Sequence, residues 1–210
     1  MLKGSDTMYC RSHELRVQLC QEFDIKPIGR FKLLNGKIVV SDAGNKDITD
    51  EYVIFDCISK TNPNITDTIH CGVSVARDFC QLTGYSLPPL FDPLHHEGIA
   101  HNGDVNTSNR PKWNPVRKQL YDIVLLIMTY QGNISKNSVL FEIKFKLEDP
   151  DYLAYYPKNQ IKSVNTYLNK MGKTFQNILD ELSENNHLRN FNYDLVLDYM
   201  LKNKLEQHLV

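Results

Sequence analysis

The stretch LFDPLHHEGIAHNGDVN, Leu90 to Asn106, places His95, His96 and His101 beside Glu97 and Asp104. Imidazoles and carboxylates exchange protons near neutral pH and ligate divalent metals. A metal site needs such groups within about 2.0–2.3 Å of one ion. The helical metalloprotease pattern H-E-x-x-H achieves this by setting two imidazoles one turn apart. Here Gly98, Ile99 and Ala100 separate Glu97 from His101, one residue too many, and Gly98 disfavours the helix. That arrangement is therefore excluded. His96 and His101 stand as candidate catalytic residues, with His101 as a general base. The competing expectation is a polar loop whose three imidazoles point apart, because glycines at 98 and 103 loosen the segment.

A second constellation is Cys57, His70 and Cys71. The β-forming flanks EYVIFDCIS and ITDTIHCG predict a hairpin turning about Asn62-Pro63-Asn64. That register would set Cys57 opposite His70, with Cβ atoms about 4.5–5.5 Å apart. With Cys10 and His13 of CRSH, these residues could make a zinc site, zinc being the one cofactor the sequence suggests. The alternative is that Cys57 and Cys71 are small buried hydrophobes. Cys71 also precedes a predicted helix, where a thiol can be activated as a nucleophile and paired with a histidine such as His101.

Nucleic-acid chemistry is suggested by NRPKWNPVRKQ. It sets Arg110, Lys112, Arg117 and Lys118 around Trp113, and cations interleaved with an aromatic ring can hold phosphates and stack bases. Trp113 also begins an apolar seam, which argues for its burial. The segment from His96 to His101, with IAHNG and then a long amphipathic helix, resembles the R-x4-6-H end of HEPN-type RNases. The resemblance implies a small RNase in which His101 and a cation act at the scissile phosphate. No Arg stands at 95, 96 or 97, so a protonated His95 or His96 would have to supply that charge. MGKT, Met171 to Thr174, is not a phosphate loop, since Tyr167 occupies the position of the required upstream glycine. It reads as helix, glycine turn, helix. A helix-turn-helix would bring Lys158, Lys162, Lys170 and Lys173 near phosphates, but Asp180, Glu181 and Glu184 oppose DNA contact.

The elements that must position these residues follow from composition and period. The chain has 210 residues, is 41% hydrophobic and 23% charged, and carries a formal net charge of −1, which excludes a chain-wide basic footprint. No apolar signal segment is visible, and the longest aliphatic run, Ile123 to Met128, falls far short of the roughly 20 residues a membrane helix needs. A cytoplasmic protein with free thiols and no membrane partner is expected.

Periodicity predicts a helix over 12–24, strands near 30–34 and 37–41 about Asn35-Gly36, strands over 51–59 and 65–72, and a helix from 73 stopping at Gly84. After a long connection, Trp113, Val116, Leu120, Ile123, Ile127 and Tyr130 predict a central core helix. VLFEIKFKLE alternates strictly and predicts a strand. Helices are expected near 158–171, 173–184 and 193–207. The fold class is α+β. Residues 1–85 form a small antiparallel sheet with helices, 86–112 a His- and Pro-containing loop, and 113–210 a mainly helical half, the whole compatible with one continuous domain. The functional expectation is a non-catalytic binding or regulatory module for a nucleic acid or protein partner. The alternative is a small RNase or metal-dependent hydrolase using His95–His101.

Overall fold

The computed structural model describes residues 10–95, 113–132, 134 and 138–205. The chain is α+β and falls into two compact units, Met1–Asp92 with Gln131–Ser138, and Pro93–Tyr130 with Val139–Val210. No helix among the described residues is long and apolar enough to cross a membrane.

In the first unit, Ser12 caps α1 (His13–Glu22) by accepting the Leu15 N–H at 3.3 Å. Of the expected stripe Leu19 and Phe23 reach the core and Cys20 packs against it, whereas Leu15 is exposed. The chain then enters β1 (Phe23–Lys32), β2 (Glu51–Ser59) and β3 (Thr66–Gly72), two antiparallel ladders in the order β3-β2-β1. Helix α2 (Val73–Thr83) ends at Gly84, whose φ of 77° supplies the left-handed stop. After that crossover, β4 (Leu90–Phe91) pairs with β1 in parallel. The sheet is thus mixed, where a wholly antiparallel one was expected.

The Asn35-Gly36 turn forms, with Lys37 N–H donating to the Leu34 carbonyl at 3.1 Å and Gly36 at φ 79°. It does not open a second hairpin on β1, because β2 and β4 already occupy both edges of that strand. Instead Val40 bridges Asp47 in a small loop of its own.

β1 also carries a bulge, since Pro27 pairs with Phe55 and Gly29 with Ile54, leaving Ile28 extra. Before it, Phe23 and Ile25 join Val53, Phe55 and Cys57 on the face covered by Leu19 of α1 and by Ala76 and Phe79 of α2. After it, Phe31 lies on the other face, stacked on Tyr52 at 5.4 Å and edge-on to Phe91 at 6.4 Å. Its ring lies over Gly29, where a Cβ would sit 2.7 Å from Phe31 Cζ. Glycine is what permits that approach.

The two helices are tied by Asp78 of α2, which accepts from Arg16 and sits 3.0 Å from His13 Nδ1. Burial works against this carboxylate, but the hydrogen bonds from Arg16 and His13 outweigh it and hold Asp78 below its ordinary range. A depressed carboxylate stabilises the fold above its unfolded value and loses that contribution as pH falls through its folded value. Asp78→Asn should therefore lower the urea midpoint at pH 7 and flatten the acid limb of the stability profile. Identical acid limbs for the two proteins would show that the contact is energetically idle.

In the second unit, Asn114 caps α3 (Pro115–Gln131), its side-chain oxygen accepting from Val116 N–H at 3.0 Å, with Pro115 at the first helical position. α3 is buried almost all round from Ile123 to Thr129, and Thr129 satisfies its hydroxyl on the Leu125 carbonyl at 2.9 Å. The expected strand over 141–148 is instead helix α4 (Val139–Glu148). Its buried side is Leu140, Phe141, Ile143, Lys144 and Leu147, a helical spacing hidden under the alternation. Lys144 fits because its ammonium reaches Glu148 at 2.6 Å and lies over the Tyr121 ring.

A 3-10 turn (Pro150–Tyr152) leads to α5 (Lys158–Met171), α6 (Phe175–Ser183) and α7 (Asp194–Lys202). Gly172 ends α5 in the left-handed region, and Thr174 with Asn177 forms a reciprocal cap on α6. MGKT is therefore helix, turn, helix, as expected.

Candidate functional site

A cleft of about 760 Å3 lies within the first unit. One wall is the start of α2, where Gly72 occupies the cap position and no side chain accepts the first helical N–H groups. Those groups carry the positive end of the helix dipole. A Cβ at Gly72 would meet nothing within 4 Å, so the backbone there is open to a ligand.

The opposite wall is the loop bridged at Val40 and Asp47, closed by Ser41 N–H donating to the Lys46 carbonyl at 2.9 Å and turned by Asn45 at φ 52°. Asp42 anchors this loop to edge strand β3. Its N–H donates to the His70 carbonyl at 2.8 Å, and its carboxylate accepts the His70 N–H at 2.7 Å. The same contact satisfies an otherwise open strand edge.

Arg11, Arg30, Lys46 and Arg77 line the cleft with Asp47, Asp50 and Glu51. The acids are partly spoken for. Arg30 holds Glu51 through Nε at 2.8 Å and Nη2 at 2.5 Å, and Lys32 holds Asp50. Lys46 and Arg77 are exposed and have no ion-pair partner among the described residues. With Arg11 and the helix start, they leave the cleft a cationic character that the chain as a whole lacks.

The expected Cys57, His70 and Cys71 group does not come together. Cys57 pairs with Asp67, and His70 pairs with Ile54. The two were expected to be cross-strand neighbours, but the register is offset by three residues, an odd shift that puts them on opposite faces. Cys57 and Cys71 point into the helix-covered core, where burial, the largest cause, pushes both thiols well above their ordinary value. Burial also defeats activation of Cys71 by the helix that follows, so the nucleophile expectation fails at that residue. His70 is buried on the other face, its Nδ1 3.7 Å from Asp42 Oδ2. Of CRSH, Cys10 lies in the core and His13 pairs outward with Asp78. Among the described residues, no group of three or more His, Cys, Asp and Glu side chains is arranged to hold a metal ion.

The basic cluster about Trp113 divides. Arg117 is buried, with its guanidinium on backbone carbonyls at the end of α4. Lys118 stays at the surface, paired with Asp122 at 3.1 Å and lying over the Trp113 and Tyr121 rings. Trp113 is half-buried, less than its place at the head of the seam predicted. Lys173, one of the candidate phosphate contacts of the helix-turn-helix reading, is held by Glu181. His96, His101, Arg110 and Lys112 lie outside the described residues. Lys46, Arg77 and Gly72 were missed in the sequence. The one local signal was a glycine immediately before a helix that has no Ser, Thr, Asp or Asn cap.

No protein-family model, curated protein or solved structure matches this chain.

Proposed function

We propose that this protein is a non-catalytic binding module whose first unit grips the phosphate backbone of a nucleic acid. The observation behind the reading is the convergence of Lys46, Arg77 and Arg11 with the open start of α2 on one cleft. Backbone N–H groups at a helix start and flexible cations are what phosphate oxygens accept hydrogen bonds from. Such contacts carry little sequence information, so the binding is tolerant of sequence and sensitive to salt.

The test is fluorescence anisotropy of labelled single- and double-stranded oligonucleotides across a salt series. Lys46→Glu and Arg77→Glu should each weaken binding about tenfold near 0.1 M salt, and each should reduce the salt slope by about one. Equal affinities for wild type and both variants would remove the cleft from the reading. Tight capture of a polyanionic peptide with no oligonucleotide binding would move the partner class to protein. Incubation with a mixed RNA pool, with and without EDTA, tests the hydrolase alternative. RNA cleavage that is lost in His101→Ala and indifferent to EDTA would replace the binding reading with metal-independent RNase chemistry.

A further inference from the structure

A second cavity, of about 300 Å3, lies wholly within the helical unit. Its floor is Arg117, only 3% exposed. The guanidinium donates from Nε to the Tyr155 carbonyl at 2.9 Å and from Nη1 to the Lys146 and Leu147 carbonyls at 2.8 and 3.1 Å. Arg117 thus caps the C-terminal end of α4, where carbonyls lack helical partners. A buried cation ordinarily carries a paired anion. Among the described residues Arg117 forms no ion pair; burial lowers its pKa, and Asp149 of the same lining opposes that only through its charge at longer range. Nη2 makes none of these bonds and is not among the polar atoms sealed from solvent, so it is the edge left to the cavity.

The walls are aromatic. DYLAYY puts Tyr152, Tyr155 and Tyr156 on the rim at 54%, 63% and 37% exposure. Tyr152 and Tyr155 lie 5.8 Å apart at 52°, and Tyr156 rests on Tyr199 at 5.3 Å. Exposed ring faces of this kind are stacking platforms. Lys146 adds a second cation at the rim, its ion pair among the described residues being an exposed contact to Glu142 at 3.6 Å. Asp149 and Gln160 complete the lining and supply acceptors for ring N–H groups, although Asp149 also accepts the Asp151 N–H at 3.1 Å.

We infer that this pocket binds a single nucleotide, its base stacked on Tyr152 and Tyr155 and its phosphate on Arg117 Nη2 and Lys146. The volume lies at the low end for ligand sites and suits one such unit. A free mononucleotide and one unit of a single strand share this chemistry. The inference goes beyond the phosphate-gripping cleft and does not depend on it.

The experiment is isothermal titration of the full chain with AMP, adenosine, inorganic phosphate and a short oligoadenylate. AMP should bind at least about tenfold more tightly than adenosine or phosphate alone, because ring and anion are held together. Tyr152→Ala and Tyr155→Ala should each weaken AMP by roughly five- to a hundredfold, and Tyr152→Phe should restore it. These side chains are exposed, so the test does not hang on Arg117, whose replacement endangers the end of α4. Oligoadenylate binding that is tighter than AMP and lost in the same variants assigns the pocket to a strand. Equal affinities assign it to the free nucleotide. AMP binding that is absent, or unchanged in both alanine variants, overturns the inference. The salt-dependent oligonucleotide binding of the cleft would survive that result, so the two failures can be told apart.

Discussion

Ile123→Ala should lower the free energy of unfolding by roughly 2–5 kcal/mol. Ile123 is 1% exposed in the middle of α3, flanked on its seam by Leu120 and Ile127, both fully buried. Val124, Leu126 and Met128 are buried as well, so no side of the helix in this stretch is free to settle into the space left behind. The loss is therefore the transfer energy of the missing methylenes and methyl plus a cavity term. Trp113, the single tryptophan, is half-buried, lies 5.1 Å from the Tyr121 ring and belongs to the same unit as α3. Its fluorescence in urea reads the melting of that unit directly. A shifted midpoint with an unchanged slope is the expected signature. A loss below about 1 kcal/mol would mean that the seam is loosely packed despite its burial.

That helix was legible because its apolar period ran unbroken through Tyr130 and nothing competed with it. The 51–72 hairpin and the three last helices were legible for the same reason, each bounded by its own turn residues. VLFEIKFKLE was misread because two periods fit it. Phe141, Ile143, Phe145 and Leu147 alternate, yet the buried side also takes in Leu140 and Lys144 and leaves Phe145 out, and a lysine does not look like a core residue until its ammonium has Glu148 to reach. The Cys57–His70 pairing failed on register. Placing the turn at Asn62–Asn64 was sound, with Ile65 N–H donating to the Asn62 carbonyl at 2.9 Å, but Ser59 N–H closes on the Ile65 carbonyl and Ile58 faces Thr66, which moves every partner along. A shift of that kind carries no signal in residue type. The cleft was less legible still. Lys46, Arg77 and Gly72 come from a loop, a helix side and a helix start, and they meet only because Asp42 ties the loop to the edge of β3.

The first unit should begin to lose stability in alkali before its lysines discharge, and the cause is its thiols. Cys10, Cys57 and Cys71 are at most 2% exposed in the core between the sheet and helices α1 and α2. Burial is the first cause at each. It pushes Cys10 up to about 12 and the other two well above the ordinary thiol value of 9.0. Below that value the folded and unfolded thiols are both protonated and pH does nothing. Above it the unfolded chain releases protons that the folded chain keeps, so the unfolded state gains and stability falls as pH rises. For Cys10 the fall runs from 9.0 to about 12. Each thiol contributes a slope approaching about 1.4 kcal/mol per pH unit, and the three together about 4. Against a typical total of about 5–15 kcal/mol, two or three units of pH suffice to unfold the sheet. Tyr52, also raised by burial, adds its share only at higher pH, because an unfolded phenol ionises later than a thiol. The measurement is urea unfolding followed by circular dichroism from pH 8 to 10.5 under reductant, on wild type and Cys57→Ala. The variant carries a constant loss from its small cavity, but its alkaline slope should be shallower by up to about one third, since Cys20 and Cys80, also raised by burial, add to the wild-type slope. A wild-type midpoint that stays level to pH 10.5, or equal slopes in the two proteins, would mean that these thiols ionise in the folded state and that the core between sheet and helices is open to water.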